Sequence, residues 1–155
     1  MRTLYYSIIV ILLSTGCGFK VIDQLNLKNI NLSYIETTDD NRNGYNIKKK
    51  LQLNTKNTSS NIVGLIINIE KKKDIKEKDA SNEITKYLTT INLIVKVEKN
   101  NKAVKTLNLS DRRDYNVSSQ YSQTIVNENE AIKALTNLLT TKLIKELSLI
   151  NFDDF

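Results

Sequence analysis

The chain has 155 residues and a formal net charge of +6, and its composition excludes several kinds of chemistry. It contains no His, Pro or Trp and a single Cys, while 20 Asn and 19 Lys make up a quarter of it. Without His, neither a Ser-His-Asp nor a Cys-His nucleophile system can form. With one Cys as well, the common tetrahedral zinc sites and any internal disulfide are excluded. Carboxylate or Lys chemistry is what the composition still permits.

The positive charge has two explanations that the composition leaves open. Such a charge favours an acidic partner, for example nucleic acid. However, Lys, Asn and Ile are all encoded by AT-rich codons, so an AT-biased genome would raise the Lys content without any partner.

The N-terminal residues are typical of a bacterial lipoprotein signal. An apolar run of ten residues, Leu4 to Leu13, follows the basic Arg2. It is too short to cross a bilayer, which takes about 20 apolar residues, but it fits the apolar part of a secretory signal. The run leads through Ser14-Thr15-Gly16 to the only Cys, Cys17. This segment resembles a lipobox, in which the Cys is acylated and the chain is cleaved before it, although Ser14 stands where Leu is usual. A buried Cys after an uncleaved anchor is the alternative.

The lipoprotein interpretation predicts where the protein lies. Acylation of Cys17 would tether it, and several acyl chains are needed because one chain binds a membrane only marginally. Gly18, rather than Asp, follows Cys17, and in lipoproteins of this kind that favours the outer membrane. A protein tethered on the periplasmic side does not meet genomic DNA, so nucleic acid is not expected as a partner. We divide the chain into a signal peptide (1–16), a lipidated tether (17–27), a single domain (28–150) and a short acidic tail (151–155).

The predicted elements follow the order β-α-β-β-β-α. Alternating apolar residues predict strands at 28–37, 61–70, 84–99 and 103–109, and a spacing of three to four residues predicts helices at 41–56 and 123–148. Asp39-Asp40 offers an N-cap to the first helix, and Asn100-Asn101 forms a two-residue turn. In the last strand, Ala103, Lys105, Leu107 and Leu109 are expected on one face. The order predicts an α+β two-layer sandwich, with two helices packed on one face of a four-stranded sheet.

A dense charge run separates the second and third predicted strands. Glu70 to Asp79 carries five Lys and four acids and has a net charge of +1. We interpret it as a solvated hairpin loop, because its charges alternate. The functional alternative is a cluster of Lys side chains that bind phosphates as point charges. Its members are Lys71, Lys72, Lys73, Lys76 and Lys78.

Several short motifs together point to one family. The mature chain would start Cys17-Gly18-Phe19-Lys20, residues 40–47 (DNRNGYNI) lead into a basic first helix, and residues 114–117 (DYNV) end the strand meander. Residues 119–122 (SQYS) and then 128–131 (ENEA) open the Leu-rich last helix. These motifs, spread over the whole chain, resemble the lipopolysaccharide-assembly lipoprotein family LptE (RlpB), and most closely its alphaproteobacterial branch.

The resemblance implies an outer-membrane lipoprotein that is not an enzyme and needs no cofactor or metal. Members of this family plug and stabilise the outer-membrane β-barrel LptD and assist delivery of lipopolysaccharide to the cell surface. The implied partners are therefore LptD, lipopolysaccharide and the membrane, reached through a lipid anchor at Cys17, with the domain facing the periplasm or the barrel lumen. The five lysines of the charge run are then candidates for contact with lipid A phosphates. A small envelope-assembly adaptor that binds only protein is the alternative.

Overall fold

A computed structural model describes residues 27, 30–38, 42–55 and 59–154. Its elements are β1 (Asn31–Thr37), α1 (Arg42–Asn54), β2 (Ile62–Lys78), β3 (Ile84–Lys99), β4 (Lys102–Asn116), α2 (Tyr121–Ser148) and a 3-10 helix (Phe152–Asp154). The β-α-β-β-β-α order and the α+β class are confirmed. The lipidation of Cys17 and the Asp39-Asp40 cap lie outside the described residues.

The four strands form one mixed sheet in the order β1-β2-β3-β4. β1 runs parallel to β2, while the other two pairs are antiparallel. A parallel pair needs a crossover connection, which α1 supplies. Between β3 and β4, Asn100 and Asn101 have φ of 54° and 59°. Two consecutive left-handed residues make a hairpin turn that matches the twist of the strands, so the predicted two-residue turn is confirmed.

One face of the sheet is buried beneath both helices. Every second residue of β2 and β3 points to this face because side chains alternate along a strand. These side chains meet apolar residues of α1 and α2 in a single cluster, so the predicted packing of two helices on one face is confirmed. The central members are Val63, Leu65, Ile67, Leu93, Val95 and Val97 of the sheet, Ile47 and Leu51 of α1, and Leu135, Leu139, Leu143 and Leu147 of α2.

Residues 70–78 of the charge run belong to strand β2, so the interpretation of the run as a solvated hairpin loop is wrong. β2 continues through it to Lys78 and pairs with β3 along this length. Backbone pairing does not require apolar side chains, and ion pairs take the place of core contacts here. Lys86 lies 2.8 Å from Glu77, and Lys76 lies 2.9 Å from Asp114 of β4. The helices therefore cover only part of the sheet. The end of the sheet that holds residues 74–78 of β2 lies beyond them and carries mainly polar and charged side chains.

A bulge corrects the predicted faces of β4. Val97 pairs with Lys105 but the next residue, Glu98, pairs with Ala103. The extra residue between them is Val104, and it packs against the core while Ala103 is exposed. A one-residue bulge shifts the alternation of a strand, so Ala103 does not share a face with Lys105 as the sequence pattern predicted.

Packing extends past both predicted ends of the domain, 28 and 150. Leu27 is buried in the core, and its backbone N–H donates a hydrogen bond of 2.8 Å to the carbonyl of Asn54. At the other end, Phe152 is 2% exposed and its carbonyl accepts a hydrogen bond from Lys99. The acidic segment after residue 150 thus contributes a large side chain to the core. Within the described part of the chain, no helix is long and apolar enough to cross a membrane.

Candidate functional site

The strand alternation of β2 separates the five predicted lysines between two faces of the sheet. Lys71 and Lys73 lie opposite Ile91 and Thr89 of β3, both of which are buried beneath the helices. Lys72 lies between them in sequence and therefore points to the outer face. The structure does not bring the five side chains together as one cluster.

Four of the five lysines already have a polar partner. Lys72 pairs with Asp74 at 3.0 Å, Lys73 with Glu128 at 2.7 Å and Lys76 with Asp114 at 2.9 Å, while Lys78 donates a hydrogen bond of 2.9 Å to Asn82. Lys71 has no ion pair or hydrogen bond to any residue of the described chain. Because exposed contacts of this kind are worth at most about 1 kcal/mol, Lys72 and Lys76 can exchange their carboxylates, and Lys78 its neutral amide partner, for an added anion.

Lys73 differs because it belongs to an aromatic cluster that joins β2 to α2. Its ammonium lies 4.2 Å from the centre of the Tyr87 ring and 5.4 Å from that of Tyr115. The two ring centres are 5.7 Å apart, and Glu128 approaches from the second turn of α2. A cation held over aromatic faces and paired with a carboxylate is a fixed structural contact. We therefore assign Lys73 to holding α2 on the sheet.

The ionisation of this cluster is coupled. Burial is the largest single influence and disfavours the charged forms of Lys73 and Glu128. The hydrogen bond between them, their polar contacts with the Tyr115 hydroxyl and the attraction of their charges together outweigh it, so the pKa of Lys73 lies above its ordinary range and the pKa of Glu128 below it. Burial also raises the pKa of Tyr115. Its buried hydroxyl lies near Lys73 and Glu128, yet it has no partner in hydrogen-bonding geometry within the described chain.

A basic cavity of about 490 Å³ opens between α1, β2 and α2. Lys71 is the only one of the five predicted lysines that lines it. The apolar inner face of β2 ends at Ile69, so Lys71 occupies the next inward position, where the core gives way to polar groups. The polar lining also includes Arg42 and Asn46 of α1 and Asn129, Glu130 and Lys133 of α2.

Each helix contributes two polar or charged residues, four positions apart, to the lining of the cavity. Arg42 and Asn46 are four residues apart on α1, and Asn129 and Lys133 are four apart on α2. Residues at this spacing lie on the same helix face, one turn apart. Each pair was visible in the sequence, but the fact that the two faces meet Lys71 depends on how the helices pack. Arg42 and Lys133 were therefore missed as candidate site residues.

The acidic residues of β4 are also used in pairs with distant lysines. Asp111 lies 2.8 Å from Lys142 of α2, and Asp114 is held by Lys76. These contacts lower the pKa of both carboxyl groups. Across the residues that the structure describes, no group of three or more His, Cys, Asp or Glu could hold a metal ion.

The comparisons with known proteins find similarity in structure and not in sequence. No protein-family model and no curated protein matches the chain. The rare lipoprotein B of Shewanella oneidensis is similar with a TM-score of 0.53 and 12% identity, over 76% of this chain and 90% of that one. The lipoprotein B of Nitrosomonas europaea gives 0.60 and 14% over 84% and 90%. A minor lipoprotein of Acinetobacter baumannii gives 0.59 and 12% over 79% and 91%.

These similarities cover almost the whole of each solved structure and most of this chain. At 12–14% identity they establish the fold alone. They agree with the family that the short sequence motifs indicate. The chain has the fold of the rare lipoprotein B (RlpB, or LptE) family.

Proposed function

We propose that this protein is an outer-membrane lipoprotein of the LptE family that plugs and stabilises the LptD β-barrel and assists delivery of lipopolysaccharide to the cell surface. The observation that carries the proposal is the fold shared with the rare lipoprotein B of Shewanella oneidensis. The lipobox-like segment that ends at Cys17 supports the proposal independently, because this segment is separate from the residues that form the shared fold. The domain would face the periplasm or the barrel lumen.

The outer face of the sheet supports a place inside a barrel. This face carries polar side chains in cross-strand rows, such as Glu70, Asn92 and Ser110. Ser110 donates a hydrogen bond of 2.6 Å to Asn92. The lumen of a large outer-membrane barrel is polar, so side chains of this kind can hydrogen-bond to its wall. The long strands β2 and β3 make a stiff wedge of roughly 50 Å, at about 3.3 Å per residue.

The exposed lysines near the far end of β2 support contact with lipopolysaccharide. Lys72, Lys76 and Lys78 are held only by exposed partners. Lipid A phosphates are stronger acceptors than a neutral amide and carry more charge than one carboxylate. An ammonium can therefore leave its present partner for a phosphate at little cost.

Co-purification tests the proposal directly. The full-length tagged protein would be extracted from its own outer membrane in a mild detergent, with an untagged strain as the control. We expect a barrel of LptD size to be retained in equal amount. Retention of other envelope proteins without such a barrel would instead support the adaptor that binds only protein.

The anchor has a separate test. Metabolic labelling with palmitate should mark the wild-type protein and leave the Cys17→Ser variant unlabelled. The unlabelled variant should also leave the outer-membrane fraction. Equal labelling of the two proteins would contradict the assignment of Cys17.

A further inference from the structure

We infer that the open edge of β4 binds an extended polypeptide segment with acidic and apolar side chains, which adds to the sheet as a fifth strand. The order of the described strands ends at β4, so one side of this strand has no strand partner among them. The partner is a protein segment rather than a lipid, and the edge would bind it whether or not the proposed barrel is present.

The free edge of β4 is long enough to hold a complete strand. β4 has 15 residues, whereas β1, at the opposite edge of the sheet, has seven. The bulge at Val104 interrupts β4 near its start, and the carbonyl of Asn116 at its end accepts a hydrogen bond from the side-chain amide of Asn127. The uninterrupted edge therefore runs from Lys105 to Tyr115. Backbone N–H and C=O groups along such an edge are a template for an added strand.

A face of α2 that carries exposed leucines lies beside this edge. Lys142 of α2 is 2.8 Å from Asp111 of β4, which fixes where that face lies. Leu138 lies one turn before Lys142 and Leu149, at the C-cap, two turns after it. The two leucines are 46% and 69% exposed. An added strand would place alternate side chains next to this face and bury apolar surface that β4 alone leaves exposed.

The helix-facing row of β4 indicates which side chains the segment needs. The residues of this row pair with buried residues of β3, and they are Lys105, Leu107, Leu109, Asp111 and Arg113. Lys142 neutralises the charge of Asp111, so the row has a cation at each end and two leucines between them. Opposite charges across a strand pair attract and like charges repel. The matching segment therefore has acidic residues eight positions apart and apolar residues at the alternate positions between them.

The charge of β4 disfavours a second copy of the chain as the occupant. The strand carries four basic and two acidic residues, a net charge of +2. Two such strands side by side would repel each other. Basic side chains on an edge strand commonly prevent self-association in this way. The same charges leave the edge open to an acidic strand.

Synthetic peptides test the edge of the full-length protein in detergent micelles. The acidic probe is the end-blocked peptide Glu-Thr-Val-Thr-Leu-Thr-Val-Thr-Glu, whose symmetric sequence presents the same side chains in either strand direction. The basic probe has Lys in place of both Glu residues. Fluorescence anisotropy of labelled peptides gives the two affinities. We expect the acidic probe to bind at least tenfold more tightly than the basic one.

Hydrogen exchange measured by NMR tests whether the backbone takes part. In an edge strand, the amides of alternate residues bond to the neighbouring strand while those between them face outward. We expect the acidic probe to slow the exchange of the outward-facing amides between Lys105 and Tyr115 by at least tenfold. Amides of the outer strand β1 should keep their exchange rates and provide the internal control.

Reversing the two end cations tests the charge match. The variant Lys105→Glu with Arg113→Glu should lose at least tenfold in affinity for the acidic probe and gain as much for the basic one. The matched control, Lys49→Glu with Lys133→Glu, changes the same charge at exposed positions on the two helices. It should change either affinity by less than threefold. Binding of the basic probe by the reversed variant would also show that this variant is folded.

The outcomes distinguish strand addition from the other occupants. Preference for the acidic probe, protection of alternate β4 amides and the swapped preference of the reversed variant support it. Absence of binding, equal affinities for the two probes, or binding without protection of β4 would overturn it. Self-association of the protein that the acidic probe displaces would identify a second copy as the occupant and would also overturn it. Because no barrel is present, failure here is independent of the co-purification result.

Discussion

The ring of Tyr34 covers Gly64 on the outer face of the sheet, and its hydroxyl donates a hydrogen bond to Glu98. The three residues form one row across three strands, because Tyr34 pairs with Gly64 and Gly64 pairs with Glu98. The contact with the carboxylate raises the pKa of Tyr34. An aromatic ring over a glycine in a neighbouring strand replaces the side chain that the glycine lacks. This row ties the short edge strand β1 to the long strands.

Replacing Gly64 with Ala should destabilise the protein. The added Cβ would lie well inside contact distance of the Tyr34 ring. The ring would have to move and give up its hydrogen bond to Glu98. Overpacking of this kind costs about 1–3 kcal/mol. Chemical denaturation should show the decrease in the free energy of unfolding with the slope unchanged.

A double-mutant cycle identifies the cause. In a Tyr34→Ala background the ring is absent, so Gly64→Ala should cost little, and the two changes should be strongly non-additive. Tyr34→Phe is the matched control, since it keeps the ring and removes only the hydroxyl bonded to Glu98. Additive costs would mean that the ring over Gly64 is not the source of the destabilisation.

The sequence was sufficient to predict the element order but not the lengths of the strands. Ile84–Lys99 was predicted at its observed limits, because apolar alternation runs along the whole of β3. The second half of β2 lacks that signal, since its residues pair with β3 through the backbone and with one another through charges. The same limit explains Gly64, whose importance depends on a partner thirty residues away. Alternation of apolar and polar residues indicates that one face of a strand is buried. A strand segment that extends into solvent therefore does not show this alternation.

Replacing Glu128 with Gln should destabilise the attachment of α2 to the sheet. The pair with Lys73 is intermediate in exposure, so a loss of about 1–2 kcal/mol is expected at neutral pH, between the values for exposed and buried pairs. Glu130→Gln is the matched control, because its carboxylate makes no ion pair with any described residue. Equal effects of the two substitutions on thermal unfolding would contradict this role of Glu128.

The pH dependence of that loss has a definite sign. The pKa of Glu128 is lowered on folding, so its contribution is complete above its ordinary value near 4.5 and is lost as the pH falls through the lower, folded value. The pKa of Lys73 is raised, so its contribution is complete below 10.5 and disappears only as the pH rises through its folded value. The difference in stability between wild type and Glu128→Gln should therefore be constant between these limits and shrink below pH 4.5. A difference that grows on acidification would contradict the assignment.

Replacing Phe152 with Ala should destabilise the protein by about 3–5 kcal/mol, the usual cost of removing a large buried ring. Phe152 lies in the core and its carbonyl accepts a hydrogen bond from Lys99. Phe152→Leu keeps an apolar side chain at the position and should cost much less. Thermal unfolding compares the two variants, and equal melting temperatures for Phe152→Ala and the wild type would show that the segment is a tail after all.

Only part of the candidate site was accessible from sequence. The five lysines were singled out because they lie close together in the sequence, but strand pairing places them on different faces of the sheet with different contacts. Lys73 is fixed inside an aromatic cluster, and Lys71 enters the cavity. Arg42 and Lys133 have no basic residue next to them in the sequence, so no run of charges marks them. They become a site only because α1 and α2 pack on the same face of the sheet, which local patterns do not specify.

The exposed lysines of β2 should contribute to lipopolysaccharide binding by charge alone. We expect Lys72→Gln, Lys76→Gln and Lys78→Gln, combined in one full-length variant, to weaken binding by at least tenfold in low salt. Three surface contacts of about 0.5–1 kcal/mol each would have this effect. The loss should shrink as salt is added, because screening weakens exposed charges first. Lys73→Gln is the informative comparison: it should lower the melting temperature instead, since its ammonium is already held by Glu128. Unchanged binding in a variant with all five lysines neutralised would remove the cluster from this role.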